Sequence, residues 1–346
     1  MSRPARDMPP ALAVCGFSGS GKTTLLESVI PELVGRGLAV AVVKHDAHGV
    51  DVDRPGKDSD RLFRAGATVV LEAPDQQMAR VHGPVRDLRE LILELGRRHD
   101  LVLVEGHART PLDKVWLLGG TPAEAPAALE RVAAVLPRDD DRPRRTLELL
   151  GTWLAEAWRT RTLLGGVLLG GPSRRMGRPK QLIEIGGVTL AERTVAALEG
   201  TVRNVVVLGG GELPSALREL PRLPDPPGVD GPLAGLIAAL RWAPDAAWIV
   251  TACDHPRIGA PAVEWLRAQR APGAWAVIPH LGAGGPQPLL ACYEPQARGP
   301  LELAVRTGPW SPKLLAAHPK AIGPSPPERL AEAWRDVDTS ADLEPV

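Results

Sequence analysis

Apolar positions along this chain fall into short runs separated by longer stretches of helical period. In the first half, residues 11–15, 38–43, 68–71 and 101–104 predict buried strands, and 114–118 and 131–136 predict two more. Between them, 23–36 and 85–98 carry the 3.6-residue spacing of helices. Residues 144–161 predict an amphipathic helix with Leu147, Leu150, Leu154 and Trp158 on one face. At Leu164 the pattern restarts. Residues 166–169, 204–208 and 247–252 predict strands, 189–198, 232–242 and 260–269 predict helices, and 274–278 and 288–292 predict further strands of the same sheet. Alternation of apolar strands with helices specifies an α/β architecture with parallel sheets. The expected division is two domains, 1–160 and 161–346, with almost no linker. The charged stretch 139–145 and the Pro/Gly-rich stretch 221–232 read as loops inside them.

Composition narrows this. The 346 residues include 41 basic and 41 acidic side chains, a formal net charge of zero, which argues against a dedicated nucleic-acid coat. Gly and Pro each occur 36 times, yet 44% of the chain is hydrophobic, so it is not a disordered composition. With nine Trp, two Phe and one Tyr, the cores must rest on aliphatic side chains. Trp153, Trp158, Trp242, Trp248, Trp265 and Trp275 are scattered, with no stacking platform, and read as packing. Cys15, Cys253 and Cys292 lie far apart without CxxC spacing, which points to reduced core cysteines rather than a disulfide or zinc framework. The apolar run 11–15 is too short for a signal peptide, and no stretch approaches the roughly 18 apolar residues of a membrane span. These features predict a soluble, cytoplasmic protein with neither a nucleic-acid nor a membrane partner.

Candidate chemistry sits after the first strand of each half. Gly16-Phe17-Ser18-Gly19-Ser20-Gly21-Lys22-Thr23 fits the phosphate-loop pattern GxxxxGK[ST] and lies between a predicted strand and a predicted helix, the context this motif demands. Gly16, Gly19, Ser20, Gly21, Lys22, Thr23 and Thr24 are the candidate nucleotide contacts. The glycines let backbone N–H groups curl around phosphate oxygens, Lys22 reaches the β- and γ-phosphates, and the Thr23 hydroxyl binds Mg²⁺. Glu105, ending the run 101–104, is a candidate for holding the same Mg²⁺ through water. Lys44-His45-Asp46 follows a strand at the edge where ligands collect, although His45 alone reads as a surface residue.

The order GFSGSGKTTLLESVIPEL, VVKHDAH, DVDRPGKDSDRLFRAGA and LVLVEGH resembles the MobB family, GTP-binding accessory proteins of molybdenum-cofactor guanylation. The likeness covers roughly the first 120 residues and includes Asp53, Gly56, Lys57, Asp58 and Ser59, which a generic phosphate loop does not require. It implies guanine-nucleotide binding with slow hydrolysis, often in a homodimer. The residues themselves establish phosphate binding only, and no NKxD-type guanine-reading motif is present.

In the second half, Leu168-Leu169-Gly170-Gly171-Pro172-Ser173-Arg174-Arg175-Met176-Gly177-Arg178-Pro179-Lys180 joins a strand, a glycine turn and several cations, a combination suited to a triphosphate. Asp254 follows a predicted central strand, where a carboxylate is a suitable Mg²⁺ ligand. These pieces resemble the nucleotidyltransferase family that includes the molybdenum cofactor guanylyltransferases of the MobA type. The loop reads LLGGPSRRMGRPK, GPLAG occupies 231–235, CDxP occupies 253–256, QPL occupies 287–289, and Asp336-Val337-Asp338-Thr339-Ser340 stands at the terminal NVNTP-like segment. The resemblance spans essentially all of 164–346.

Carried over by motif, Leu168, Leu169, Gly170 and Gly171 would contact the nucleotide, Lys180 its phosphates, and Asp225 the nucleotide site. Asp254 would hold Mg²⁺, and Arg175 and Lys180 would steady the departing pyrophosphate. Pro179 stands where Asp is frequent, Leu208-Gly209-Gly210 where an Asn is common, and Asp336 and Asp338 where the family has asparagines.

The two resemblances together imply an N-terminal P-loop NTPase-like sheet fused to a C-terminal Rossmann-like nucleotidyltransferase (GT-A-like) sheet. The implied reaction moves GMP from GTP to molybdenum-molybdopterin. Molybdenum-insertion proteins and recipient molybdoenzymes are further implied partners. A cytidylyltransferase or other nucleotidyltransferase, and a GTP-dependent cofactor-delivery scaffold, remain open as alternatives. His255 reads as a loop residue rather than a base.

Overall fold

The computed structural model describes residues 8–44, 53–84, 86–119, 124–169, 179–308 and 311–337. The first half is built from β1 (Ala11–Cys15), α1 (Lys22–Gly35), β2 (Val40–Lys44), α2 (Asp58–Arg64), β3 (Val69–Ala73), β4 (Gln76–Arg80), α3 (Leu88–Gly96), β5 (Leu101–Glu105), β6 (Asp113–Leu117), β7 (Val132–Leu136) and α4 (Arg142–Thr160). Five strands form a parallel sheet in the order β2-β5-β1-β6-β7. Central β1 and β5 are buried along their whole length, as strands covered on both faces must be.

Strand alternation sorts their side chains. Leu12, Val14, Leu101 and Leu103 pack with Leu25, Val29, Leu150, Leu154 and Trp158 of α1 and α4, whereas Ala13, Cys15, Val102 and Val104 pack with Ile92 of α3. The apolar face read for 144–161 is therefore the one that docks, with Leu147 at its margin.

Three expectations for the first half change. Residues 68–71 are not a buried strand of the main sheet: β3 pairs only with β4, antiparallel, and past Val69 its side chains are exposed. The helix expected from residue 85 starts at Leu88, because the Asp87 carboxylate accepts from the N–H groups of Arg89 and Glu90 at 2.8 and 3.3 Å. The charged stretch 139–145 is more than a loop. Asp141 accepts from the Arg144 N–H and caps α4, which begins at Arg142.

Two residues, Arg161 and Thr162, separate α4 from the second half. It comprises β8 (Leu163–Leu168), β9 (Glu184–Ile185), β10 (Val188–Thr189), α5 (Leu190–Leu198), β11 (Val205–Leu208), β12 (Arg222–Leu223), α6 (Pro232–Trp242), β13 (Ala247–Ala252), α7 (Ala260–Ala268), β14 (Ala276–Val277), β15 (Leu290–Tyr293), α8 (Arg298–Thr307), β16 (Ala321–Ile322) and α9 (Glu328–Ala331). Seven strands form one sheet, β12-β11-β8-β13-β15-β14-β16, with β15 antiparallel to its neighbours. Helix α6 covers one face and α5 and α7 the other. β12 lies within 221–232, which was expected to be loop throughout. Among the described residues no helix is long and apolar enough to cross a membrane.

Candidate functional site

In each half the candidate residues collect at the C-terminal edge of the sheet, where strand order reverses beside the first strand. That is the crevice in which open α/β sheets take ligands. In the first half, Gly16, Gly19 and Gly21 all have positive φ (152°, 76° and 90°), which curls the chain from β1 into α1. A Cβ at Gly16 would sit 2.4 Å from Ser20 Oγ and 2.8 Å from the Leu117 carbonyl oxygen, so glycine is required there.

The loop's own carbonyls hold its cation. Lys22 Nζ donates to the carbonyls of Gly16 and Phe17 at 3.0 and 3.1 Å. The Thr23 hydroxyl donates to Glu105 Oε1 at 3.0 Å, and Glu105 is only 9% exposed, at the end of the strand paired with β1. The structure thus joins the hydroxyl and the carboxylate that the sequence separates. Ser20 Oγ is buried and has no partner among the described residues. Thr24 is exposed on the first turn of α1. His45 and Asp46 lie outside the described residues.

Arg142 is a participant the sequence did not reveal. Its guanidinium donates to the carbonyls of Ser20 (2.8 Å), Leu118 (2.6 Å), Leu136 (3.1 Å) and Pro137 (2.8 Å), bracing the phosphate loop against the ends of β6 and β7. Its position in a run of charges gave no signal that distinguished it from a solvated arginine.

In the second half, Lys180 Nζ lies 3.0 Å from Asp254 Oδ2, with both side chains about one-fifth exposed. Asp254 follows β13, the central strand. The Val337 N–H donates to its carbonyl at 3.0 Å, so the terminal Asp336-Val337 segment reaches the same loop. Leu168 and Leu169 are buried in the cores on opposite faces of the sheet, which leaves their backbone for any ligand contact.

The Leu169 carbonyl would stand 2.9 Å from a Cβ at Gly209, and Asp225 Oδ1 would stand 3.4 Å from it. With φ of 89° as well, Gly209 has no room for a side chain. Arg222 donates to the carbonyls of Gly209 and Gly211, both at 2.8 Å, and Gln181 donates to the Glu212 carbonyl at 3.2 Å. Partial desolvation and then the negative charge of Asp230 raise the Asp225 carboxyl above the usual range, against the pull of Arg222. Gly170, Gly171, Arg174, Arg175, Asp338, Thr339 and Ser340 lie outside the described residues.

His255 lies in the loop after β13, as expected, with its side chain turned into the core. It is buried, and its Nε2–H donates to the Leu289 carbonyl at 3.0 Å. Burial raises the Cys15 thiol to about 11 and the Cys253 and Cys292 thiols to about 12, so all three are protonated, inert core groups at neutral pH. Among the described residues no three His, Cys, Asp or Glu converge on a metal-sized gap. The available donors are Thr23 with Glu105 in one half and Asp254 in the other. These few hard oxygens fit Mg²⁺, which takes one or two carboxylates and completes its shell with phosphates and water.

Residues 11–136 match the family described as molybdopterin guanine dinucleotide synthesis protein B, and residues 165–320 match the MobA-like NTP transferase domain. The first half is 46% identical over 112 residues to the molybdopterin-guanine dinucleotide biosynthesis adapter protein of Haemophilus influenzae, covering 31% of this chain and 62% of that one, less than two thirds of its length. The Escherichia coli adapter protein is 40% identical over 118 residues, covering 32% and 67%. The second half is 39% identical over 159 residues to a probable molybdenum cofactor guanylyltransferase of Opitutus terrae, covering 45% of this chain and 78% of that one.

Proposed function

The chain belongs through its first half to the molybdopterin guanine dinucleotide synthesis protein B family and through its second to the MobA-like NTP transferases, and from that premise we propose that it is a molybdenum cofactor guanylyltransferase fused to its own GTP-binding adapter. The division falls at 1–160 and 161–346. The observation that carries the proposal is the Lys180–Asp254 pair at the end of the central strand, beside the Leu169 turn.

In the proposed reaction a terminal phosphate oxygen of molybdenum-molybdopterin attacks the α-phosphorus of GTP in line. The bond from that phosphorus to the bridging oxygen breaks, and pyrophosphate leaves. The attacking phosphate is ionised at neutral pH, with a second pKa near 6, so no side chain need act as a base. Binding requires the Lys180–Asp254 pair to exchange partners. The Lys180 ammonium turns to the triphosphate and, with Arg175, offsets the charge of the departing pyrophosphate. The Asp254 carboxylate, released from Lys180, would hold Mg²⁺, which would supply neutralisation of phosphate charge. Leu169 and Gly209 offer backbone to the nucleotide, and Asp225 offers a carboxylate to its donors.

In the first half, Gly16, Gly19, Ser20, Gly21, Lys22, Thr23 and Thr24 are proposed to hold GTP phosphates, with Thr23 and Glu105 taking the Mg²⁺. This half acts as an adapter rather than as the catalyst of nucleotide transfer. Exposed Leu62, Val70 and Val81 support a homodimer joined through it, and the buried, unpaired cysteines support a reducing, cytoplasmic setting.

The test is pyrophosphate release by the full chain supplied with molybdopterin and GTP, CTP or ATP in turn. Release with GTP at least about 100-fold above CTP fits a site that hydrogen-bonds its base. A preference for CTP would replace the proposal with a cytidylyltransferase.

A further inference from the structure

Among the described residues, the side-chain hydrogen bonds and ion pairs between the two halves lie at one level of each sheet. Asp100, immediately before β5, is 0% exposed, and its carboxylate accepts from the Ala39 N–H at 2.7 Å, Trp275 Nε1 at 2.8 Å and Lys320 Nζ at 3.0 Å. Trp275 immediately precedes β14 and Lys320 precedes β16. Arg97, just beyond α3, forks onto both oxygens of Asp245 at 2.8 and 3.3 Å, and Asp245 precedes β13. Gln296, just after antiparallel β15, donates to the carbonyls of Gly96 and His99 at 3.1 and 2.9 Å. Lys320 also donates to the Gly37 carbonyl, in the turn that leads into β2.

In the first half these residues enter or approach strands at their N-terminal ends. In the second half β13, β14 and β16 start at the seam, and antiparallel β15 finishes there. The seam therefore joins the N-terminal edge of one sheet to the N-terminal edge of the other. The phosphate loop, Glu105, Asp225 and Asp254 all stand at the C-terminal edges, which face away from it.

We propose that the halves are locked base to base, so that the phosphate loop takes no part in chemistry at the transferase site of its own chain and serves whatever it serves from the molecule's far end. At about 3.3 Å per residue, the five residues of β5 and the six of β13, set end to end across the seam, place the two edges about 35 Å apart. No side chain reaches that far. The seam is a closed polar network around a fully buried carboxylate, and an unpaired carboxylate there would be costly, so these partners specify one orientation of the halves. The assignment of the two edges as nucleotide sites rests on the function proposed above, whereas the arrangement of the sheets does not.

The experiment uses the full chain carrying Arg109→Cys, in the loop after β5, and Glu212→Cys, in the loop after β11. Both positions are exposed, while the native cysteines are buried. Spin labels at the two positions are expected more than about 35 Å apart, the distance set by the strands, and a separation below about 25 Å would overturn the arrangement. Lys320→Met, with Arg97→Gln as an independent second variant, then loosens the seam. Pyrophosphate release per folded chain is expected to stay within twofold while the distance distribution broadens. A tenfold loss at unchanged folded fraction would mean that the seam transmits between the sites, and would overturn the proposal. A wild-type chain that released no pyrophosphate would defeat the guanylyltransferase reading, and the label distance would still decide the arrangement.

Discussion

Lys180 Nζ sits 3.0 Å from Asp254 Oδ2, so the cation and the anion proposed to receive the nucleotide satisfy each other. The pair is about one-fifth exposed, and pairs this accessible contribute about 1 kcal/mol or less to stability. Asp254→Asn should therefore leave the melting temperature nearly unchanged while lowering GTP-dependent pyrophosphate release by about 100-fold or more, the usual loss when a charge-stabilising group is removed. Melting and turnover are measured on the same preparation. Activity within tenfold of wild type would sink the role given to Asp254.

Glu105 makes a different prediction because its partner is a hydroxyl. Glu105→Gln keeps an oxygen to accept from Thr23 Oγ1 and removes only the charge. In an Asp254→Ala background, which isolates the first half's site, GTP binding in the presence of Mg²⁺ should weaken by about 10-fold, as when a partner of a metal ligand is lost. With the metal chelated, the same variant should bind GTP as well as its parent or better, since a negative charge near the phosphates has gone. Equal weakening in both conditions would make Glu105 structural.

The longer strands of both main sheets were legible because they are continuous apolar runs, whereas two-residue β12 and β16 at the second sheet's edges were not, and the first glycine loop was legible because a phosphate site needs positive φ next to a cation. Two other things were not legible. Local chemistry decided the helix starts at Leu88 and Arg142, where Asp87 and Asp141 cap backbone N–H groups that an apolar period does not sense. Residues 68–71 carry the composition of a core strand but pair only with β4. At the sites, single motifs gave Lys22, Lys180 and Asp254. Arg142 and Arg222 act through backbone carbonyls, which any sequence offers, so nothing in their neighbours marks them.

Arg222 tests that last point. It ties together the Gly209 and Gly211 carbonyls from an exposed position on β12, and no ligand phosphate is assigned to it. Arg222→Ala should free the triple-glycine turn and raise the KM for GTP by about fivefold, the equivalent of one ordinary hydrogen bond at about 1 kcal/mol, with kcat nearly unchanged. Arg222→Lys, lacking the fork, should not rescue it. A fall in kcat at constant KM would instead place Arg222 at the reacting phosphates.

Gly235 explains why the GPLAG helix ends its motif in glycine. A Cβ there would lie 2.4 Å from Leu168 Cδ2 and 3.1 Å from Leu208 Cβ, both in a packed core. Overpacking costs about 1–3 kcal/mol, and the better helix propensity of alanine returns about 1. Gly235→Ala should therefore lower the melting temperature of the second half by a few degrees. It should also raise the KM for GTP, because Leu168 must move and Leu169 follows it. A variant more stable than wild type would show that Leu168 has room to turn aside.

His318 gives the seam a pH dependence whose sign can be worked out. Its ring stacks on Trp275 at 5.3 Å, and its Nδ1 accepts the Lys320 N–H at 3.1 Å. Burial, and after it the Lys320 charge, hold its pKa below the ordinary 6.5. Lys320 and Trp275 in turn bind Asp100, the buried carboxylate of the other half. A histidine whose folded pKa is depressed contributes stability that is complete above its unfolded pKa of about 6.5 and is lost as pH falls through the folded value. Protonation would also abolish the acceptor that Lys320 uses. The full chain should thus lose melting temperature between pH 7 and pH 5 more steeply than His318→Asn, which can accept the same N–H and does not titrate. Parallel slopes for the two proteins would remove His318 from the seam's energetics, and a steeper slope for the variant would reverse the sign argued here.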